Sequence, residues 1–248
     1  SDAGTILLDA DAFRQAKLDS STALAIAETI SRLWVGGQTA IRGEGGGVLR
    51  DGLVRFLANQ FLEKQFGRDA AESELLRQRL AFAAVAKRDA PLSRANPLDS
   101  TYYGSVPNRG AMVWRLINRK LGPEIFLGIV RGLVQPDRTD PNGLNLPAFR
   151  AALVARGGES LKVLLDQQLD QVTDMDLMVG LPQARGAEWV SALRNLGSTE
   201  ASVSVVATTE RGEKVTVQGV VPARNFADIV FKSPTKIVRV EIDPEKLY

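Results

Sequence analysis

The chain contains no cysteine and no histidine among its 248 residues. The absence of cysteine excludes disulfides, cysteine nucleophiles and thiolate metal sites, while it leaves the redox compartment open. The absence of histidine removes the commonest general base at neutral pH and the commonest zinc ligand. Any catalysis by this chain would therefore rest on carboxylates, lysine, tyrosine, serine or threonine.

The charge of the chain is nearly balanced. Lysine and arginine number 31 against 29 aspartates and glutamates, and the basic residues are scattered among acidic ones. This pattern argues against nucleic acid and against a charged membrane surface as partners. There is no run of about 18 apolar residues, so the sequence predicts no membrane span. Its apolar content of 44% suits one large domain or two smaller ones.

The first two thirds of the sequence have the periodicity of helices. After a short strand end at residues 5–8, apolar residues recur with helical spacing over residues 20–34, 48–66 and 71–87, and over further runs up to residue 172. Asp19, Ser20 or Ser21 is the expected cap of the first helix, and Gly67 the expected end of the second. Trp34 and Trp114 are predicted to be core aromatics.

The last part of the sequence changes to a strand pattern. From residue 202 onward apolar and polar residues alternate, valine, isoleucine and threonine are frequent, and turn residues separate the runs. This pattern predicts a small antiparallel β-domain, and residues 188–197 are expected to add a strand and a turn. The predicted fold class is therefore α+β, with a mostly helical domain over residues 1–180 and a β-sandwich over residues 181–248.

One short stretch resembles a known metal-binding helix. Residues 28–37, ETISRLWVGG, have the frame of the zinc helix in the gluzincin aminopeptidases, the family of aminopeptidase N and leukotriene hydrolase. In that family a His-Glu-x-x-His run precedes a Trp-x-Gly turn, and a glutamate eighteen residues after the second histidine completes the zinc site. Here Trp34-Val35-Gly36 match the turn, whereas the family's ligands are absent.

The alignment on this turn assigns a family position to four residues. It places Glu28 and Arg32 at the two histidine positions and Thr29 at the position of the general-base glutamate. Eighteen residues then separate Arg32 from Asp51, which falls at the position of the third ligand. A guanidinium cannot ligate a cation, and Thr29 would need a base of its own to act as one. Zinc is expected for the family but not for this sequence, so we predict no cofactor.

A second match lies near the middle of the chain. The run VPNRGAMVW resembles the family helix that contains Tyr-x-Lys-Gly, with Arg109 and Gly110 at the Lys-Gly place. The transition-state tyrosine then falls on Pro107, or on a gap before Asn108. The later helices and the β-rich tail also resemble the family, so the resemblance covers nearly the whole chain. It implies the helical half of a thermolysin-like catalytic domain, followed by a small sandwich and preceded by further domains of a longer protein.

Simpler interpretations exist for these residues. Glu28 and Arg32 have the spacing of an ordinary helical i, i+4 pair, which contributes about 0.3–0.5 kcal/mol. Glu28 and Asp51 offer oxygen ligands of the kind that Ca²⁺ or Mg²⁺ accepts, but Arg32 between them argues against such a site. The glycine-rich run at residues 42–47 lacks the Gly-Lys-Ser/Thr ending of a phosphate-binding loop, so it is interpreted as a flexible connection.

The resemblance leads to a functional hypothesis with alternatives. We expect a non-catalytic relative of the zinc aminopeptidases that serves as a peptide- or protein-binding module of a longer protein. One alternative is an active metallopeptidase of the same family that uses non-standard ligands or residues outside this chain. Another is a purely structural domain of a secreted or membrane-attached protein. The family analogy favours a location outside the cytoplasm, and nothing in the sequence indicates an oligomeric state.

Overall fold

The computed structural model describes residues 6, 10, 17–134, 143–172 and 176–247. The chain divides into two compact units, residues 1–172 and 173–248. Helices form the first unit and antiparallel strands the second, so the predicted α+β class is confirmed. The sequence placed the boundary after residue 180, whereas the first strand of the β-unit already lies before it. Apart from residue 6, the strand end expected at residues 5–8 lies outside the described residues.

The described part of the helical unit contains six α-helices. Their bounds are α1 Ser20–Trp34, α2 Val54–Phe66, α3 Arg68–Ala83, α4 Tyr102–Leu121, α5 Pro123–Leu133 and α6 Leu146–Asp170. A π-helical turn, Val48–Leu53, leads directly into α2, and two short 3-10 turns, Ala86–Arg88 and Leu92–Arg94, lie between α3 and α4. The π-helical turn packs against α4, and α1 packs against α2.

The ends of the helices follow from local chemistry. Asp19 caps α1 by accepting a hydrogen bond of 2.8 Å from the backbone N–H of Thr22. Gly67 ends α2 with a φ of 85°, a conformation that favours glycine. Because α3 begins directly after this glycine, it lies about one turn earlier than the predicted range of residues 71–87. The last stretch of helical periodicity forms one helix, α6, with a kink at Gly158.

An aromatic cluster lies at the centre of the helical unit. Trp114, from α4, is fully buried and makes an edge-to-face contact of 5.2 Å between ring centroids with Phe149 of α6. Phe126 packs against Phe56 in the same way at 5.4 Å. Such pairs add about 0.5–1.5 kcal/mol each beyond the burial of their area. The prediction of a core aromatic is confirmed for Trp114 and wrong for Trp34, which is 54% exposed at the end of α1.

The β-unit is a sandwich of two antiparallel sheets. In the first, the central β3 (Glu188–Asn195) pairs along one edge with β6 (Phe226–Phe231) and along the other with β1 (Leu177–Val179) and β2 (Gln183–Arg185). In the second, β4 (Ala201–Thr209) lies between β5 (Lys214–Val221) and β7 (Ile237–Ile242). Alternate residues of β4 are buried, as the sequence pattern predicted. The buried side chains of both sheets meet in one apolar core.

None of the helices in the described ranges has both the length and the apolar character that crossing a membrane requires.

Candidate functional site

Asp51 lies in the π-helical turn, and two contacts with α4 fix that turn. The indole Nε1 of Trp114 donates a hydrogen bond of 3.0 Å to the carbonyl oxygen of Val48. The backbones of Gly52 and Gly110 approach so closely that a Cβ atom added to either glycine would lie 3.0 Å from the Cα of the other. The two glycines therefore allow α4 to pack directly on the turn. Single π-helical turns inside helices occur frequently at functional sites.

Three side chains surround this aspartate and form with it a group that we call the Asp51 cluster. Arg32 Nη1 donates to Asp51 Oδ1 at 2.6 Å, and the Tyr102 hydroxyl donates to Asp51 Oδ2 at 2.6 Å. Arg50 Nε lies 3.5 Å from the same Oδ2, and Arg50 Nη2 lies 3.4 Å from the Tyr102 oxygen. The side chain of Asp51 is 10% exposed, whereas those of Arg32 and Arg50 are 37% and 46% exposed. The cluster is therefore buried on its acidic side and open on its basic side.

Burial and hydrogen bonding shift the pKa of two members of this cluster. Burial raises the pKa of Tyr102 to about 12, and its hydrogen bond to Asp51 adds to the shift because the phenolate would face a carboxylate. The hydrogen bond with Tyr102 raises the pKa of Arg50 above its ordinary value, and the charge of Asp51 acts in the same direction. Tyr102 is thus a neutral donor and Arg50 a permanent cation at physiological pH.

A second group lies beside the first and involves Glu28, Arg55 and Asn108; we call it the Glu28 cluster. Arg55 Nε lies 2.6 Å from Glu28 Oε1, an ion pair without hydrogen-bond geometry, while Arg55 Nη2 donates to Oε2 at 3.2 Å. Arg55 Nη1 also donates to Asn108 Oδ1 at 3.2 Å. Glu28, Arg32 and Asp51 therefore do not form a single cluster. Arg32 does meet Asp51, but Glu28 pairs with Arg55 of α2, whose side chain reaches it across the helix interface.

The remaining residues singled out by the resemblance have structural contacts. Thr29 donates through its hydroxyl to the carbonyl of Ala25 at 2.8 Å, an exposed contact within α1. Pro107 lies inside α4, where its missing N–H leaves the carbonyl of Tyr103 without its helical donor. The side-chain amide of Asn108 donates to that carbonyl at 3.3 Å and to the carbonyl of Gly104 at 2.8 Å. This substitution of donors lets α4 run from Tyr102 through Pro107.

Arg109 lies away from both clusters and inside the helical unit. Its guanidinium is 3.3 Å from the carboxylate of Asp89 and donates hydrogen bonds of 3.1 Å to the carbonyls of Gln168 and Gln171 at the end of α6. Burial lowers the pKa of Arg109, although Asp89 opposes the shift. Because the ion pair is almost completely buried, its contacts join α4 to the end of α6 and do not belong to a surface site.

Three members of the clusters were not identified by the motif: Arg50, Arg55 and Tyr102. Arg50 directly precedes Asp51 and Arg55 follows it by four residues, so their position on the same helical segment was a usable signal. The third member, Tyr102, is the first residue of α4. No sequence spacing indicated its contact with Asp51, because the contact depends on the packing of α4 against the π-helical turn.

The donor groups of the two clusters do not fit a zinc ion. A catalytic zinc needs three protein ligands and an open position for water. Glu28 and Asp51 are the carboxylates available here, and each is already within 2.6 Å of a guanidinium. Within the described ranges, no group of three acidic, histidine or cysteine residues is placed to hold a metal ion. Arg32 and Arg55 thus supply the positive charge that a metal would bring to these carboxylates.

A cavity of about 460 Å³ lies elsewhere on the helical unit. Apolar side chains from the start of α6 form part of it, together with two acids and two arginines; the lining residues are Glu44, Ser93, Arg94, Leu146, Pro147, Arg150 and Asp170. None of these residues belongs to the Asp51 cluster or to the Glu28 cluster. This cavity and the two polar clusters are therefore separate features of this unit.

Comparison with known proteins places the fold near an aminopeptidase. A crystal structure of Legionella pneumophila aminopeptidase A in complex with aspartic acid superimposes with a TM-score of 0.62 and 16% sequence identity over 89% of this chain. The chain spans 25% of that structure's length. The X-ray structure of Northeast Structural Genomics Consortium target SoR45 gives a TM-score of 0.15 at 12% identity, over 31% of this chain and 90% of that one, which is too low to support an argument.

Comparisons of sequence give no match, either to the model of a protein family or to a curated protein. The structural likeness therefore shows a distant aminopeptidase-like fold, and it leaves the chemistry of the two clusters to be argued from their own contacts.

Proposed function

We propose that this chain is a non-catalytic relative of the zinc aminopeptidases and acts as a peptide- or protein-binding module. The aminopeptidase-like fold supports the relationship. The observation that carries the proposal is the 2.6 Å contact between Arg32 and Asp51, because it fills one proposed ligand position with a cation and engages the carboxylate at another. Glu28, which the alignment places at the first histidine position, forms an ion pair with Arg55.

The positions proposed for the chemical groups of a peptidase support the same conclusion. Thr29, at the proposed general-base position, donates its hydroxyl proton to a backbone carbonyl and has no base beside it in the described contacts. At the proposed position of the transition-state tyrosine, Pro107 has no hydroxyl, and the side-chain amide of Asn108 is occupied by the carbonyls of α4. These residues maintain the helices without providing a nucleophile or a proton acceptor.

Two measurements on the purified chain test the proposal. Elemental analysis after dialysis against metal-free buffer is expected to find no stoichiometric zinc, and hydrolysis of aminoacyl anilides is expected to equal the uncatalysed rate. About one tightly bound zinc per chain would contradict the proposal. A metal-dependent turnover that Asp51→Ala abolishes would instead support an active metallopeptidase with non-standard ligands. An assay of the chain together with any longer form of the protein extends the test to residues outside this sequence.

A further inference from the structure

The Asp51 cluster contains more positive than negative charge. Among the described residues, two guanidiniums, those of Arg32 and Arg50, face the single carboxylate of Asp51, and the Tyr102 hydroxyl is neutral. The neighbouring Glu28 and Arg55 balance each other. One positive charge of the Asp51 cluster is therefore left without a counter-charge from the described residues.

The uncompensated charge is accessible and has free hydrogen-bond donors. Arg32 uses only Nη1 in its contacts, with Asp51 and with the backbone carbonyl of Arg50, so its Nε and Nη2 groups are available. Arg50 directs Nε and Nη2 toward Asp51 and Tyr102, which leaves Nη1 available. Both side chains are more than a third exposed, whereas Asp51 and Tyr102 lie beneath them.

Both carboxylate oxygens of Asp51 already accept hydrogen bonds within the cluster. Oδ1 of Asp51 accepts from Arg32, and Oδ2 accepts from Tyr102 at 2.6 Å. Both arginines contact the same carboxylate, Arg32 at Oδ1 and Arg50 at Oδ2. A planar guanidinium fork matches a carboxylate in geometry, and charge-assisted bonds of this type are about twice as strong as neutral ones.

We propose that Arg32 and Arg50 together bind the carboxylate of a peptide or protein partner. A single carboxylate supplies the one negative charge that the cluster lacks, and it presents two acceptor atoms to the donors left free. The open position of both arginines suits the end of a chain or an acidic side chain. This inference rests on the proposed non-catalytic function, because a metal bound at Asp51 would displace Arg32 from its partner.

The test uses the full chain and the arginine Nε–H signals of its NMR spectrum. One pair of probes is acetyl-Ala-Ala-Ala with a free carboxylate and the same peptide as an amide. The second pair is acetyl-Ala-Asp-Ala-amide and acetyl-Ala-Asn-Ala-amide. At least one carboxylate probe is expected to shift the Arg32 and Arg50 signals in a saturable way, while its neutral counterpart does not. Binding of the first acid assigns a chain terminus, and binding of the second an acidic side chain.

Substitution then tests which side chains bind. Arg32→Gln and Arg50→Gln are each expected to weaken the bound probe about tenfold or more, the loss of one charge-assisted contact. Arg77→Gln is the matched control, because Arg77 pairs one-to-one with Glu74 at 2.6 Å and is expected to leave affinity unchanged. Equal binding of acid and neutral probes, or an equal loss in the control, would overturn the proposal, as would wild-type signals that do not move. These results are separate from the zinc and hydrolysis measurements.

Discussion

Removing Asp51 and removing its ion-pair partner Arg32 are expected to lower the free energy of unfolding by different amounts. Asp51→Ala removes the acceptor of Arg32 and Tyr102 and the counter-charge of Arg32 and Arg50. Leaving the buried Tyr102 hydroxyl without its acceptor, together with the loss of the exposed ion pairs, costs about 2–3 kcal/mol. Arg32→Ala is milder, because Arg32 is 37% exposed and Asp51 keeps Tyr102 and Arg50 as partners. Its expected cost is about 1 kcal/mol, near the upper end for exposed pairs.

Thermal unfolding followed by far-ultraviolet circular dichroism measures this difference, because the helices of the first unit dominate that signal. For a domain of this size, about 1 kcal/mol corresponds to roughly 2–4 °C in Tm. We therefore expect Asp51→Ala to lower Tm by about 4–12 °C and Arg32→Ala by about 2–4 °C. In the double variant, loss of Arg32 relieves the repulsion with Arg50, so the two effects are expected to differ from additivity by about 1 kcal/mol.

The control for this series is Arg77→Ala, which removes an arginine that is 62% exposed and paired on the surface of α3. Its expected effect is under about 1 kcal/mol. Strict additivity of Arg32→Ala and Asp51→Ala would refute the coupling. If Arg32→Ala is destabilised as much as Asp51→Ala, the contacts of Tyr102 and Arg50 do not stabilise the carboxylate of Asp51. In that case the aspartate would depend on Arg32 alone.

Three further predictions concern the same part of the helical unit. Because the folded chain holds the Tyr102 proton more tightly than the unfolded chain, stability should be unaffected below pH 10 and fall as the pH rises toward 12, by at most roughly 3 kcal/mol. Urea unfolding at each pH measures this. Gly110→Ala should destabilise the protein by about 1–3 kcal/mol in the same assay, because the new methyl group meets the backbone of Gly52 at 3.0 Å. Finally, Glu28→His/Arg32→His should gain a zinc site that includes Asp51, measured by competition with a chromogenic chelator.

Each of these predictions has a matched comparison. Tyr102→Phe should abolish the loss of stability between pH 10 and pH 12, and persistence of that loss would assign it to another group. Gly128→Ala in α5, where an added Cβ meets nothing within 4 Å, should be neutral or stabilising by up to about 1 kcal/mol. The double-histidine variant should lose its zinc when Asp51→Ala is added. If the zinc affinity stays the same after Asp51→Ala is added, Asp51 is not a ligand of that zinc.

The sequence predicted the elements of the fold because their signals are local. Apolar spacing located α1 and α2, Asp19 and Gly67 located two of their ends, and the alternation after residue 202 predicted the β-unit. Trp34 shows the limit of this method. Its helical spacing was as suitable for the core as that of Trp114, but burial depends on which neighbouring elements cover the side chain, and that is a property of the packed structure.

The site was predictable in one contact and not in the others. The interval between Arg32 and Asp51 identified a pair that lies within 2.6 Å. Glu28 pairs with Arg55 of α2 and not with Arg32 of its own helix, and only the crossing of the helices selects Arg55. The contact of Tyr102 with Asp51 could not be predicted from sequence spacing. The two residues are 51 positions apart, and they meet only when α4 packs on the π-helical turn.

The π-helical turn also determines how a one-residue deletion would affect this region. A π-helical turn contains one residue more than the α-helix it interrupts, so deleting a residue there would produce a regular helix with little loss of backbone hydrogen bonds. Each residue of an α-helix turns by about 100°, and a deletion between Asp51 and Arg55 would therefore rotate Arg55 relative to this carboxylate by that amount. Asp51 and Arg55 could then no longer face Arg32 and Glu28 together. A single-residue deletion between residues 52 and 54 should accordingly preserve the helical content while uncoupling the two clusters from each other.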